Sequence, residues 1–395
     1  MIKWIAVCAL VLLVYASPAS AQHEHHQPAP PAEGWQWIFD SQAFLNTNIQ
    51  QRRFRDFRVV ESQNWLMLVG SRRVGRGQLN LHGMLSFEPW TVRKLGSPQV
   101  FQTGETYQGS ALVDYQHPHD FVMEASARFE WPVSARWRLH LEGGPVGAPA
   151  LGPPVFMHRA SADANPTTPL GHHSLDATHV THGVLTAGVT RGPFTFEAST
   201  FRGREPDEDR IAVELGRLDS YSARIWFRRG PWEAQVSGGH LRQPDRTEFS
   251  DHDLLTASLS FTGELTGRPL AVTGAFGHTS EPGTGRRTPA WLLESVWKVT
   301  PRNSFYLRGE WLVKDVLTRG GFHPQGFTHP HILSTIGALT AGYERRIAAT
   351  PFGQFGVGGD VTGYYRDVNL FDGYGDPFSA HFFLRYRFAA RGGAR

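Results

Sequence analysis

Period-two alternation, repeated in segments of about ten residues along most of the chain, constrains this sequence more than any single motif does. Leu79, Leu81, Gly83, Leu85 and Phe87 alternate with Asn80, His82, Met84, Ser86 and Glu88; Met123, Ala125, Ala127, Phe129 and Trp131 alternate with Val122, Glu124, Ser126, Arg128 and Glu130. Trp137, Leu139 and Leu141 oppose Arg136, Arg138, His140 and Glu142, and Tyr221, Ala223, Ile225 and Phe227 oppose Ser222, Arg224 and Arg228. Leu255, Ala257, Leu259, Phe261 and Leu265 oppose Thr256, Ser258, Ser260, Thr262 and Glu264. The closing segment puts Phe382, Leu384, Tyr386 and Phe388 on one face and His381, Arg385 and Arg387 on the other, with Phe383 the exception. Successive side chains of a strand point to opposite faces, so each segment reads as a strand with one greasy and one wet face. About ten residues is also the length a tilted strand needs to cross a bilayer. A large soluble β-protein would alternate in the same way, with its charged face turned to water.

The connections alternate as well. Short links fall at 73–76, 132–135, 191–193, 229–231, 263–268, 300–303 and 348–351. Longer ones fall at about 48–60, 89–120, 144–181, 203–218, 242–252, 278–289, 314–334 and 365–377. Such a series closes about sixteen strands with both chain ends on the side of the tight turns, as in barrels with short periplasmic turns and long outer loops. Trp131, Trp137, Trp232 and Trp297 flank tight turns with outward parity, where an interfacial aromatic girdle belongs. The expected fold is therefore all-β: a transmembrane antiparallel barrel of about sixteen strands with long extracellular loops.

Composition leaves few alternatives. No stretch of about twenty apolar residues follows residue 21, so a membrane role must use strands. The net charge of +3 is small for 395 residues and gives no case for nucleic acid as a partner. Lys3 precedes an apolar run from Trp4 to Tyr15, and Ala19-Ser20-Ala21 supplies the small residues of a cleavage site, so residues 1–21 read as a signal peptide. Cys8, the single cysteine, lies inside that run, so the mature chain is expected to lack disulfides, thiolate metal sites and a cysteine nucleophile. Residues 22–34 read as a His- and Pro-rich periplasmic tail (His23-Glu24-His25-His26, then Pro28-Ala29-Pro30-Pro31), residues 35–388 as the barrel and 389–395 as a short C-terminal tail.

Two resemblances agree with this reading. The segment His381 to Phe388, ending on an aromatic residue, resembles the C-terminal insertion signal of bacterial outer-membrane β-barrels, from which the tail 389–395 departs. Gln116-His117-Pro118-His119-Asp120, Gly143-Gly144-Pro145-Val146-Gly147 with Pro149-Ala150-Leu151-Gly152-Pro153, and Gly203-Arg204-Glu205-Pro206-Asp207-Glu208 with Leu218-Asp219-Ser220-Tyr221-Ser222-Ala223-Arg224 are similar to strings in a family of uncharacterised outer-membrane proteins from diverse bacteria. That likeness spans most of the mature chain, implies a Gram-negative outer-membrane barrel and carries no catalytic assignment. The partners expected are outer-membrane lipid, the barrel assembly machinery, and small solutes or metal ions.

At this strand number the lumen holds water rather than being filled by side chains. Glu124, Arg128, Arg136, Arg138, His140, Glu142, Arg224, Arg308, Glu310, Arg385 and Arg387 are the expected pore-lining residues, affordable beside water and costly in a dry core. The expected function is a porin-like channel for ions or small solutes, its inward arginines setting up a transverse field. The third long loop is the longest, and general porins place their constriction loop at the same point, so it is expected to fold inward.

That loop carries His173, Asp176, His179 and His182 three apart, on one side of any helical turn they form. With His158 and His172 in the same loop and His117 and His119 at the end of the second, they make a ligand set suited to a zinc or copper ion. His323, His329 and His331 lie in the seventh. The bland alternative is that these histidines hydrogen-bond loops to one another and to the wall. A His–Asp catalytic pair would instead make the chain a surface lipid or peptide hydrolase, although no HExxH, GxSxG or Walker pattern is present. A third alternative is a structural or adhesin barrel, with a plugged lumen and no conductance. The charge cluster from Gly203 to Arg210 reads as a solvated loop, since its carboxylates lack EF-hand spacing.

Overall fold

The structure, a computed structural model, describes residues 34–53, 55–245, 250–316, 333–388 and 391–394. The signal peptide, nearly all of the His/Pro tail and His323, His329 and His331 lie outside the described residues.

Strands β1 (Gln36–Gln51), β2 (Phe57–Glu61), β3 (Asn64–Val74) and β4 (Gly77–Leu85) open the chain. The short helix α1 (Glu88–Thr91) and a hairpin, β5 (Ser97–Tyr107) with β6 (Ser110–Gln116), occupy the second long connection. Strands β7 (Val122–Pro132), β8 (Trp137–Gly147), β9 (Thr181–Arg191), β10 (Phe194–Phe201), β11 (Ser220–Arg229) and β12 (Trp232–Leu241) follow, with the single turn α2 (His172–Leu175) between β8 and β9. The remainder comprises β13 (His252–Leu265), β14 (Arg268–Glu281), β15 (Arg286–Thr300), β16 (Asn303–Asp315), β17 (Leu333–Thr350), β18 (Gly353–Arg366), α3 (Phe371–Tyr374), β19 (Phe378–Phe388) and β20 (Arg391–Ala394).

Each strand pairs antiparallel with the next around a closed sheet, and β19 returns to β1 in register from Gln42↔Arg387 to Gln51↔Phe378. β2 and β3 share one stave: β1 pairs with β2 over Asn46 to Gln50 and with β3 over Gln36 to Ala43. β5 and β6 pair only with each other, and β20 extends the seam by pairing with Gln36 to Phe39. The wall therefore has sixteen staves. Closure leaves no strand edge, the condition for β-structure to cross lipid.

The outer face carries Leu45, Leu141, Ile225, Leu259, Leu293, Leu307, Leu339, Phe382 and Leu384, all exposed. An apolar belt of this kind has no place on a soluble monomer and is what hydrocarbon requires. Trp131, Trp137 and Trp232 are exposed at the tight-turn rim as expected, whereas Trp297 is half-buried. A second aromatic group, with Trp291 on Phe276 and Trp311 on Tyr365, lies farther along the staves toward the loops.

Two features depart from simple alternation. Met123, expected outward, is buried against Trp65, Met84, Val146 and Val180, because the β4–β7 register skips a residue between Met84 and Leu85. The lumen is also not wet throughout. Val100 and Phe101 of the hairpin, Leu170 of the third loop, and Leu370 and Tyr374 beside α3 pack with the inward Leu312, Ile336 and Ala338 into an apolar core inside the barrel. Each large side chain so buried contributes about 1.5–3 kcal/mol, enough to hold the inserted loops against this wall.

Candidate functional site

The third loop enters the lumen and is tied to the wall by charge. Arg159 Nε donates to Glu294 of β15 at 2.6 Å, and its Nη1 donates to Asp176 at 2.5 Å and to the Pro154 carbonyl at 2.9 Å. Glu294 also accepts from Arg308 at 3.2 Å and from Ser161 at 3.0 Å. Farther along, Asp163 receives both Arg385 and Arg387 of β19 at 2.6 Å, and the Gly171 amide donates to Glu310 at 3.1 Å. Arg308 Nη1 caps the Thr167 carbonyl at 2.7 Å. Local backbone permits the approach: a Cβ on Gly277 of β14 would collide with the Ser174 carbonyl, and Gly152, with φ +78°, turns against the Leu175 carbonyl.

Five residues expected to line the pore thus hold the loop: Arg308, Glu310, Arg385 and Arg387, together with Arg224, whose Nη1 donates to the Gly152 carbonyl at 3.0 Å. The other expected lining residues form a polar wall on β7–β11. Arg128 bridges Glu130 at 2.8 Å and Glu142 at 3.1 Å, and lies 3.8 Å from Glu197; His140 meets Glu197 at 3.3 Å and Arg224 does so at 3.0 Å. Glu197, the hub of this network, escaped the sequence reading; its alternation with the outward Phe194, Phe196 and Ala198 would have revealed it. Glu124 faces the lumen beside His82. Arg136 and Arg138 lie at the tight-turn rim, bordering a cavity of about 790 Å³ between residues 132–138 and 190–194.

The histidines divide. His119, His172 and His179 gather, with ring centroids 5.3 Å apart for His119–His179 and for His172–His179. Each has one ring nitrogen occupied: His119 Nδ1 by Glu88 at 2.9 Å, His172 Nδ1 by Asp176 at 2.6 Å, and His179 Nδ1 by the Asp176 carbonyl at 2.9 Å. The others are elsewhere. His158 stacks edge-on against Trp65 at 5.0 Å, His173 lies 3.9 Å from Glu205, His182 lies 3.2 Å from Asp120, and His117 borders a cavity of about 50 Å³ between the loop and the β1–β3 wall. The spacing of three therefore does not build the expected face, because α2 lasts one turn and Asp176 pairs with His172 at i,i+4. Among the described residues, the three potential ligands whose donor atoms all lie within 4.8 Å of one another are His82, Glu124 and Glu142, and these loop histidines form no such set of three.

Electrostatics in the loops follow burial and pairing. Burial opposes charge on Asp176, yet Arg159 and His172 outweigh it and hold the carboxyl well below the usual range. Burial pushes His172 below the ordinary histidine value despite Asp176. Burial, helped by the charges of His172 and His119, drives His179 further down. At the Glu88–His119 pair burial is again overcome: each partner's charge lowers Glu88 and raises His119. The His172–Asp176 pair lies inside the lumen, and Ser174, the neighbouring hydroxyl, donates to the Thr288 carbonyl at 3.2 Å.

No protein-family model matches this sequence, and no curated protein does. Among solved structures the chain is similar to Salmonella typhi OmpF in complex with daunomycin, at TM-score 0.52 and 10% identity, over 89% of this chain and 97% of that one. It is also similar to the outer-membrane channel DcaP of Acinetobacter baumannii, at TM-score 0.51 and 11% identity, over 91% and 100%. The fold is that of the outer-membrane porins. Closed barrel, apolar belt and polar interior together make the chain an integral outer-membrane protein. The porin-like chain differs from an open tube in one respect: the hairpin, the third loop and α3 occupy the lumen toward its loop end.

Proposed function

We propose that this barrel is an outer-membrane channel for ions or small solutes whose third loop, residues 148–180, narrows the lumen and sets what passes. One observation carries the reading: beside the apolar seats of Leu170 and Leu175, the loop is fastened to β15, β16 and β19 through ion pairs and hydrogen bonds to Glu294, Glu310, Arg385 and Arg387, groups that water can solvate when the loop leaves. A purely structural plug would be expected to offer an apolar interface all round, whereas the β7–β11 wall beneath the loop stays charged. In this reading His119, His172 and His179 act as ties, each holding a carboxylate or a carbonyl, instead of sharing a metal.

Solute flux into liposomes is the test. Full-length protein should pass salts and small sugars slowly and exclude larger sugars. Removal of residues 155–175 should raise the rate and the size limit. A deletion variant that folds as a closed barrel yet passes nothing would leave a structural barrel as the correct reading.

A further inference from the structure

We propose that His82, Glu124 and Glu142 form a binding site for a divalent first-row transition cation on the lumen wall, separate from the loop histidines. The three residues come from the adjacent strands β4, β7 and β8, and their potential ligand atoms lie within 4.8 Å of one another. Tetrahedral coordination with bonds of about 2.1 Å sets ligand atoms roughly 3.4 Å apart, so a contraction of at most about 1.4 Å by side-chain rotation brings the three to that spacing.

The present contacts leave donors open. His82 Nδ1 and Glu124 Oε1 are 3.2 Å apart, Ser126 Oγ donates to the same oxygen at 2.8 Å, and Arg128 donates to Glu142 Oε2 at 3.1 Å. Among the described residues no hydrogen bond falls on His82 Nε2, Glu124 Oε2 or Glu142 Oε1, so each of the three keeps an unengaged donor atom for a cation. Two carboxylates, of which only Glu142 meets Arg128, a guanidinium it shares with Glu130, leave the group net negative, and imidazole among oxygen ligands favours zinc, nickel, iron or copper over calcium.

Backbone irregularity on both sides of β7 makes this juxtaposition. The register slips between Met84 and Leu85 against β4 and between Ala125 and Ala127 against β8, and a Cβ on Gly144 would collide with the Ala125 carbonyl. Bulges re-aim side chains, and here they flank Glu124 and Ser126 directly.

The experiment uses the full-length protein carrying His23→Ala, His25→Ala and His26→Ala to silence the tail, titrated with zinc by calorimetry and with cobalt(II) by visible absorption. Expected is binding of about one equivalent, a weakening of at least tenfold in His82→Asn, Glu124→Gln or Glu142→Gln, and unchanged binding in His172→Gln/His179→Gln. Glu142→Gln, which retains an acceptor for Arg128, keeps the test open should another variant fail to fold, and heat-modifiable migration certifies each barrel. Absence of stoichiometric zinc binding by the folded parent, an unaltered affinity in His82→Asn/Glu124→Gln, or loss of binding in the loop-histidine variant would each overturn the proposal. Conductance is measured separately, so a barren metal titration leaves the channel reading standing, and a silent channel leaves the metal site standing.

Discussion

Replacing Arg159 by Leu should release the third loop. Its guanidinium is almost wholly buried and is shared by Glu294 and Asp176 at 2.6 and 2.5 Å, so its removal strands two buried carboxylates. Breaking a buried pair by deleting one partner costs about 3–5 kcal/mol. Here Glu294 keeps Arg308 and Asp176 keeps His172, which argues for the lower end of that range. At 1.4 kcal/mol per decade, a cost of about 3 kcal/mol raises the undocked population roughly a hundredfold. Chymotrypsin added outside intact cells or proteoliposomes reads this directly, since Phe156, Leu170 and Leu175 are buried when the loop is docked. Where opening is fast relative to cleavage, the cleavage rate follows the open population and should rise by about the same factor. Arg159→Leu/Glu294→Gln, which relieves one stranded charge, should recover part of the effect. A single variant cleaved as slowly as the parent, with unchanged current, would show that the ion pairs do not hold the loop and would refute the clamp.

Other outcomes follow from the same geometry. His172 and His179 are held below the ordinary histidine value, so their contribution to docking is whole above about pH 6.5 and is lost as pH falls through the lowered values. Cleavage of the third loop should therefore quicken between pH 7.5 and pH 5, and His172→Gln/His179→Gln should flatten that profile. The Glu88–His119 tie has the opposite sense at neutral pH: His119 is raised, so its share is present below about pH 6.5 and fades as pH climbs through the raised value, measurable as faster hydrogen exchange around Glu88 at alkaline pH. Leu259→Arg, on the lipid face, should cost about 2–4 kcal/mol near the bilayer midplane, read by urea titration of heat-modifiable migration, while Ser260→Arg on the lumen face should be mild. Gly277→Val should push the Ser174 segment off β14 and raise conductance without loss of the barrel, which single-channel recording would show.

The barrel was legible because a strand declares itself through its own alternation. Leu255 to Leu265 and Phe382 to Phe388 needed no knowledge of their neighbours, and the tight turns placed the rest. Met123 was misassigned because a bulge depends on the register between two strands, which one strand's pattern does not carry. The candidate site was less legible for the same reason on a larger scale. Sequence could say that Arg385, Arg387 and Glu310 face inward, but whether they meet water or Asp163 and the Gly171 amide depends on where a loop from another part of the chain comes to rest. The loop histidines were legible as a cluster in sequence, and spacing of three suggested one face; the break of α2 after Leu175 scattered them. His82, Glu124 and Glu142 were each placed on the inward side, yet their convergence needs β4, β7 and β8 in register, with both bulges present.

Single-channel conductance in planar bilayers, recorded for the full-length protein and for the variant lacking residues 155–175, tests the central claim most directly. The account predicts small or intermittent current through the parent and a large, steady current through the folded deletion variant, as the charged β7–β11 wall becomes open to water. Equal conductance in the two would remove the loop as the constriction, and silence in both would contradict the channel.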